Sequence, residues 1–116
     1  MKSLILITFL LNCLLSYAQV TTSTIDSLRV ELKKATNDKQ RIEVYKWLAY
    51  NFSAINSDSG KLYINKFLAL ATQEKLESEI LYAYQFLGSS YLNDQNFQKS
   101  LEFYLKAHDF VKIYKE

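Results

Sequence analysis

Few side chains in this chain are equipped for chemistry, and they do not stand together. His108 is the single imidazole and Cys13 the single thiol among 116 residues. A zinc site needs three or four nitrogen, sulfur or oxygen ligands, usually His and Cys. One helical turn on either side of His108 stand Tyr104 and Lys112, so this residue reads as a surface histidine. A serine or cysteine nucleophile would have His108 as its only imidazole base, which makes such a protease hard to support. Glu74, Glu77 and Glu79 form a short acidic run. Catalytic carboxylates need a cleft and a shifted pKa, whereas a solvated turn between helices accounts for the run without either. Gly60 and Gly88 are the only glycines, too few for a phosphate-cradling G-x-G-x-x-G loop. Asn51-Phe52-Ser53 fits the N-glycosylation pattern but falls inside a helical stretch. No catalytic residue, metal or cofactor is expected, and the chain reads as a non-enzyme.

The N-terminus explains the cysteine. Met1-Lys2 is a short positive start, and Leu4 to Leu15 is apolar apart from Thr8, Asn12 and Cys13. Ser16-Tyr17-Ala18 then places small residues at −3 and −1 before Gln19, the pattern of a secretory signal peptide over residues 1–18. About 12 apolar residues fall short of the ~20 that span a bilayer, so no membrane association beyond the signal is expected. Cys13 follows Asn12 where a lipobox wants a small residue, and it reads as a small hydrophobe. Cleavage after Ala18 would export a periplasmic or secreted chain without thiols. Lys2 leaves with the signal, taking the formal charge from +2 to +1. Charges of both signs are interspersed, which offers nucleic acid no basic patch.

The mature chain reads as helices throughout. Residues 19–23 are short, polar and β-branched and predict a flexible leader. An N-terminal helix over 24–37, capped by Ser23 or Thr24, carries Ile25, Leu28, Leu32 and Ala35 at three- and four-residue steps. A second helix places Ile42, Tyr45, Leu48, Ala49 and Phe52 on one face, and a third has Leu62, Ile64, Phe67, Leu68 and Ala71. The polar run Thr72 to Ser78 breaks the pattern. A fourth helix follows with Leu81, Tyr84, Leu87, Gly88 and Tyr91, and a fifth with Leu101, Tyr104, Leu105, Ala107 and Val111. No segment alternates with period two for long enough to make a strand. The absence of proline suits this reading, since proline inside a helix costs ~3 kcal/mol. The fold class is all-α.

The chain also matches itself. Tyr45-x-x-Leu48-Ala49-x-x-Phe52 and Tyr84-x-x-Leu87-Gly88-x-x-Tyr91 align at an offset of 39, and Gly60 to Phe67 aligns with Ser100 to Ala107 at an offset of 40. Two helix pairs with one internal pattern are the mark of a helical repeat. The run Leu87-Gly88-x-x-Tyr91 followed by Ser100-x-x-x-Tyr104-x-x-Ala107 resembles a tetratricopeptide repeat, in which small and aromatic residues of paired helices meet. The resemblance implies an α-solenoid of helix pairs: a repeat over 81–116, and a degenerate one over 42–75. In the latter, Phe67 stands where a small residue belongs, and the segment Asn51 to Ser59 is one residue short. The spacing exceeds the usual 34, with the excess in Thr72 to Ser78.

In that family the concave groove is lined by the first helix of each pair. The resemblance therefore implies a groove of Glu43, Lys46 and Tyr50 from one repeat and Tyr82, Gln85 and Ser89 from the next, suited to a protein or peptide. Tyr50 and Ser89 occupy the position where a carboxylate clamp requires asparagine, so chaperone tails are not expected there. A signal peptide followed by a short helix and 40-residue repeats also resembles the exported N-terminal region of Bacteroidetes-type sensors and regulators. That resemblance implies a second role, as the sensory or dimerisation part of a larger signalling protein. Phe103, Phe110 and Val111 on the last helix are expected to be available for self-association.

Overall fold

The computed structural model describes residues 1–115, with the side chains of Ala18, Val20 and Lys115 outside that description. It is all-α: α1 (Lys2–Lys34), α2 (Asp38–Ser53), α3 (Ser57–Gln73), α4 (Glu77–Asn93) and α5 (Phe97–Lys115). The described residues contain no strand. Three-residue connections join all four pairs of successive helices, and each helix packs on its neighbours in sequence, as antiparallel neighbours with short links must.

Local chemistry sets the boundaries. Asn37, Asn56 and Asn96 accept from the backbone N–H groups of Gln40, Ser59 and Lys99 at 2.9, 3.0 and 3.2 Å, each relieving an orphan donor at a helix start. Helix α4 has no such cap at Leu76, but Glu77 and Glu79 sit in its first turn, where the helix dipole favours negative charge. This is the structural role of Glu77 and Glu79 in the acidic run, while Glu74 is the C-cap of α3. Lys75 and Gln95 take left-handed backbone conformations with φ of 56° and 61°. Just beyond them, Leu76 N–H donates to Ala71 O at 2.9 Å and Asn96 N–H to Tyr91 O at 2.8 Å, the bonds of a Schellman stop.

Two core clusters run along the row. Ile25 and Leu28 of α1 meet Val44 and Leu48 of α2. Ile42, Ala49, Ile64, Phe67, Ala83 and Leu87 form the second, spanning α2 to α4. Phe67 is fully buried and its ring meets Tyr82 edge-on at 5.8 Å. The aromatic that departs from the small-residue pattern thus fills the centre of the core and joins one helix pair to the next.

The internal repeat extends to aromatic geometry. Phe52 stacks on Tyr63 at 5.3 Å with planes 10° apart, and Tyr91 stacks on Phe103 at 5.6 Å and 6°. Tyr45 sits tilted at 6.2 Å from Tyr63, and Tyr84 at 6.5 Å from Phe103. Lys66 lies over Tyr63 at 5.5 Å and Lys106 over Phe103 at 4.8 Å. Each residue corresponds to its counterpart at the offset of 39 or 40 read from the sequence.

Several expectations are corrected. Residues 19–23 are not a loose leader but part of α1, which runs unbroken through Ser23 and Thr24. Nothing in that stretch breaks a helix, and the Thr21 hydroxyl donates to Tyr17 O at 3.1 Å. Thr21 is the first buried side chain among the described residues. The N-terminal helix stops at Lys34 rather than 37, and the two helix pairs begin at Asp38 and Glu77. Of the two ways the run Thr72 to Ser78 could hold the extra spacing, a long third helix or an extended linker, helix is what is found: α3 continues to Gln73 and α4 begins at Glu77. The one-residue difference between repeats lies in helix length, 16 residues in α2 against 17 in α4, since the turns are equal. Leu62, Leu101, Tyr104 and Leu105 are exposed, while Phe103, Phe110 and Val111 are half-buried instead. Phe103 and Phe110 pack on Tyr84. Glu116, the end of the expected second repeat, lies outside the described residues.

The two glycines sit where helices approach closely. A Cβ on Gly60 would lie 3.0 Å from the Ser53 Cα, and one on Gly88 would lie 2.9 Å from the Tyr104 ring. The Ser100 hydroxyl donates to Gly88 O at 2.8 Å across that contact. We predict that Gly60→Ala destabilises the protein by about 1 kcal/mol despite the better helix propensity of alanine, because backbone cannot step aside. Gly88→Ala is milder, since Tyr104 is 40% exposed and can swing outward. Phe67→Ala costs about 3–5 kcal/mol. Denaturant unfolding followed by circular dichroism gives all three, and a Gly88 variant weaker than the Gly60 variant would refute the ordering.

Candidate partner-binding groove

The facing sides of α2 and α4 carry the candidate groove, because both helices present the same positions of the repeat. Tyr50, Tyr82, Gln85 and Ser89 line one open concavity of about 430 Å³, together with Ser53, Ser57, Phe86, Ser90, Asn93 and Asp94. Its lining is hydroxyl, amide and aromatic, with Asp94 the sole charged group. Tyr50 is 60% exposed and its ring meets Trp47 edge-on at 6.1 Å.

Lys46 bridges the two helices: its ammonium lies 4.9 Å from the centre of the Tyr82 ring. Tyr82 is half-buried between that ammonium, Phe67 and Phe86. Burial pushes its phenol above the ordinary value, and the nearby Tyr50 and Glu79 add to the shift. Tyr82 therefore stays neutral and offers a hydroxyl that can donate or accept. Glu43 does not join this group. It lines a separate concavity of about 1000 Å³ at the other end of α2 and α4, with Asn37, Asp38, Glu74, Glu77 and Glu79. One residue per turn down α2 carries Glu43, Lys46 and Tyr50 along the helix rather than around one depression.

A cluster not legible in the sequence closes the groove's end. Asp94, just past α4, accepts from Ser57 Oγ at 2.8 Å and from Lys61 Nζ. Lys61 also stands 3.5 Å from Asp58 and 4.5 Å from the centre of the Tyr91 ring. Its side chain is only 14% exposed, so this pair is better shielded than an ordinary surface bridge. The hydrogen bond from Lys61 holds the Asp94 carboxyl below the usual carboxylate range, and the bond to Asp94 raises Lys61 above the usual lysine value. The partners lie 33 residues apart, beyond any local pattern; only the α3–α4 packing brings them together.

Elsewhere, His108 is exposed, with Asp109 at 3.4 Å, and Asn51 lies within α2 and donates to Trp47 O at 2.8 Å. No group of three or more histidine, cysteine, aspartate or glutamate residues among those described could hold a metal ion. No family model, curated protein or solved structure matches this chain.

The Lys61–Asp94 bond has a pH signature. A depressed carboxylate pKa contributes stability at pH above its unfolded value, and that contribution is lost as pH falls through the folded one. The raised Lys61 value works in the opposite sense: its contribution is present below the ordinary lysine pKa and lost at higher pH. Asp94→Asn is therefore expected to lower the melting temperature at neutral pH. The gap from wild type should close as pH falls below the carboxylate range, and a gap unchanged at low pH would refute the bond's role.

Proposed function

We propose that this chain is an exported, non-catalytic interaction module of tetratricopeptide-like helix pairs that holds a peptide or protein segment between α2 and α4. The observation that carries the reading is the meeting of Tyr50, Tyr82, Gln85 and Ser89 in one open concavity. Tyrosine offers large contact area at small entropic cost, and amides and hydroxyls satisfy an extended backbone. The repeated aromatic stacks and the close approaches at Gly60 and Gly88 support the helix-pair part of the reading.

Export is supported by the state of the N-terminal segment. Every described side chain from Met1 to Tyr17 is exposed, and among the described residues the first buried one is Thr21. Removal of residues 1–18 would therefore take no described buried side chain from the core. The apolar run of 1–18 is short for a span, but the whole helix α1 into which it continues is by length and composition alone long and apolar enough to cross a membrane, a test that a signal sequence near the N-terminus also passes.

Peptide display against the full chain tests the groove. Selected peptides should lose about tenfold or more in affinity on Tyr50→Ala or Gln85→Ala, the scale of a contact worth 1–2 kcal/mol. Leu62→Ala, on an exposed face of α3, should leave binding unchanged. Peptides that tolerate both groove substitutions, or a library that yields no binders, would sink the proposal. N-terminal sequencing of the chain exported from a bacterial host should begin at Gln19.

A further inference from the structure

The wall of the groove presents a carboxylate whose bonds are all on one side. Asp94 is the charged residue among those lining the concavity of Tyr50, Tyr82, Gln85 and Ser89. The bonds from Ser57 Oγ and Lys61 Nζ both end on its Oδ2. Oδ1 is thereby held in place and keeps its acceptor capacity. The Asp94 side chain is 32% exposed against 14% for Lys61, which does not line the concavity. A ligand in the groove therefore meets the carboxylate ahead of the ammonium that pairs with it.

The neighbouring charges act in the same sense. Lys46 lies over the Tyr82 ring, and Lys61 is held by Asp94, Asp58 and the Tyr91 ring, so both cations are already engaged. Asp58 adds a second negative charge, with its side chain 95% exposed. Helices α2 and α4 end at Ser53 and Asn93, which both line the concavity, and the C-terminal end of a helix favours a positive charge. Helix α3 starts in the same place, but Asn56 caps it and Asp58 stands in its first turn. Described helices flank this site on both sides, α1 before α2 and α5 after α4.

We infer that the segment held between α2 and α4 carries a lysine or arginine whose charged head is taken by Oδ1 of Asp94. The inference rests on the groove reading and names the partner's chemistry: a basic peptide, matched in charge to the anionic end of the groove. The amide oxygen of Asn93 and the hydroxyl of Ser90 line the same end and offer further acceptors to an ammonium or guanidinium. From Tyr82 to Asp94 is about 18 Å along a helix axis, a span that an extended peptide covers in about five residues. The basic residue therefore stands about five residues from an apolar one that packs on Tyr50 and Tyr82.

The test uses the full chain in mild detergent, which accommodates the apolar start of α1, and a random decapeptide display library. Peptides selected on the wild type should be enriched in lysine or arginine about five residues from an apolar position and depleted in aspartate and glutamate. Selection on Asp94→Asn should lose the basic preference and keep the apolar one. Replacing the selected arginine by citrulline, or lysine by acetyl-lysine, removes the charge and keeps the chain. It should weaken binding to the wild type about tenfold or more and leave binding to Asp94→Asn unchanged. A basic preference that survives Asp94→Asn, or a neutral replacement without effect on the wild type, would overturn the assignment. Binders with no basic preference overturn it and leave the groove reading standing, whereas a library without binders removes the groove reading and this inference together. Should Asp94→Asn lose helix by circular dichroism, the neutral replacement on the wild type still decides.

Discussion

The distance between paired helices governs the rest of this structure. Three-residue turns bring successive helices together at once, and the backbones meet before long side chains can intervene. Gly60 permits this against the Ser53 backbone, and Gly88 permits it beneath the Tyr104 ring, where Ser100 bonds the Gly88 carbonyl. A mid-helix glycine costs about 0.5–1 kcal/mol in propensity, offset here by close contact along the pair. Close approach at one end leaves the flanks to large residues, and the stacks of Phe52 on Tyr63 and Tyr91 on Phe103 fill them in the same way.

The junction between the two pairs follows a different rule. No glycine lies there; Phe67 supplies bulk, and Lys61, Ser57 and Asp94 supply polar bonds at the rim. Lys61 satisfies a carboxylate and covers an aromatic face together. The groove lies beside this junction, and its wall inherits the junction's rigidity: Tyr82 is held by Phe67 from below and by Lys46 from above.

Much of the fold was legible in residue types and spacing. Five helices, their order, the 39- and 40-residue offsets and the asparagine-rich boundaries follow from periodicity and capping chemistry, both local properties. The helical state of residues 19–23 was not legible, because β-branched and hydroxyl residues lower helix propensity; in the structure Thr21 is buried and its hydroxyl bonds to Tyr17 O within the helix. Four of the six groove residues meet in one concavity, Lys46 spans to Tyr82, and Glu43 stands apart. The repeat register was enough to select the helix face, but not to say where along it a depression forms.

Helix α5 draws the line most clearly. Two apolar stripes satisfy the same three- and four-residue spacing: Phe103, Ala107 and Phe110 on one, Phe97, Leu101 and Leu105 on the other, while the Tyr104 ring reaches Gly88 of α4. Sequence alone determines that α5 is a helix, that it pairs with α4 and that it carries apolar residues on more than one face. Only the tertiary structure decides which stripe is spent. Tyr84 and Tyr91 already project from α4 toward Phe103 and Phe110, and a helix can turn only one side to its neighbour.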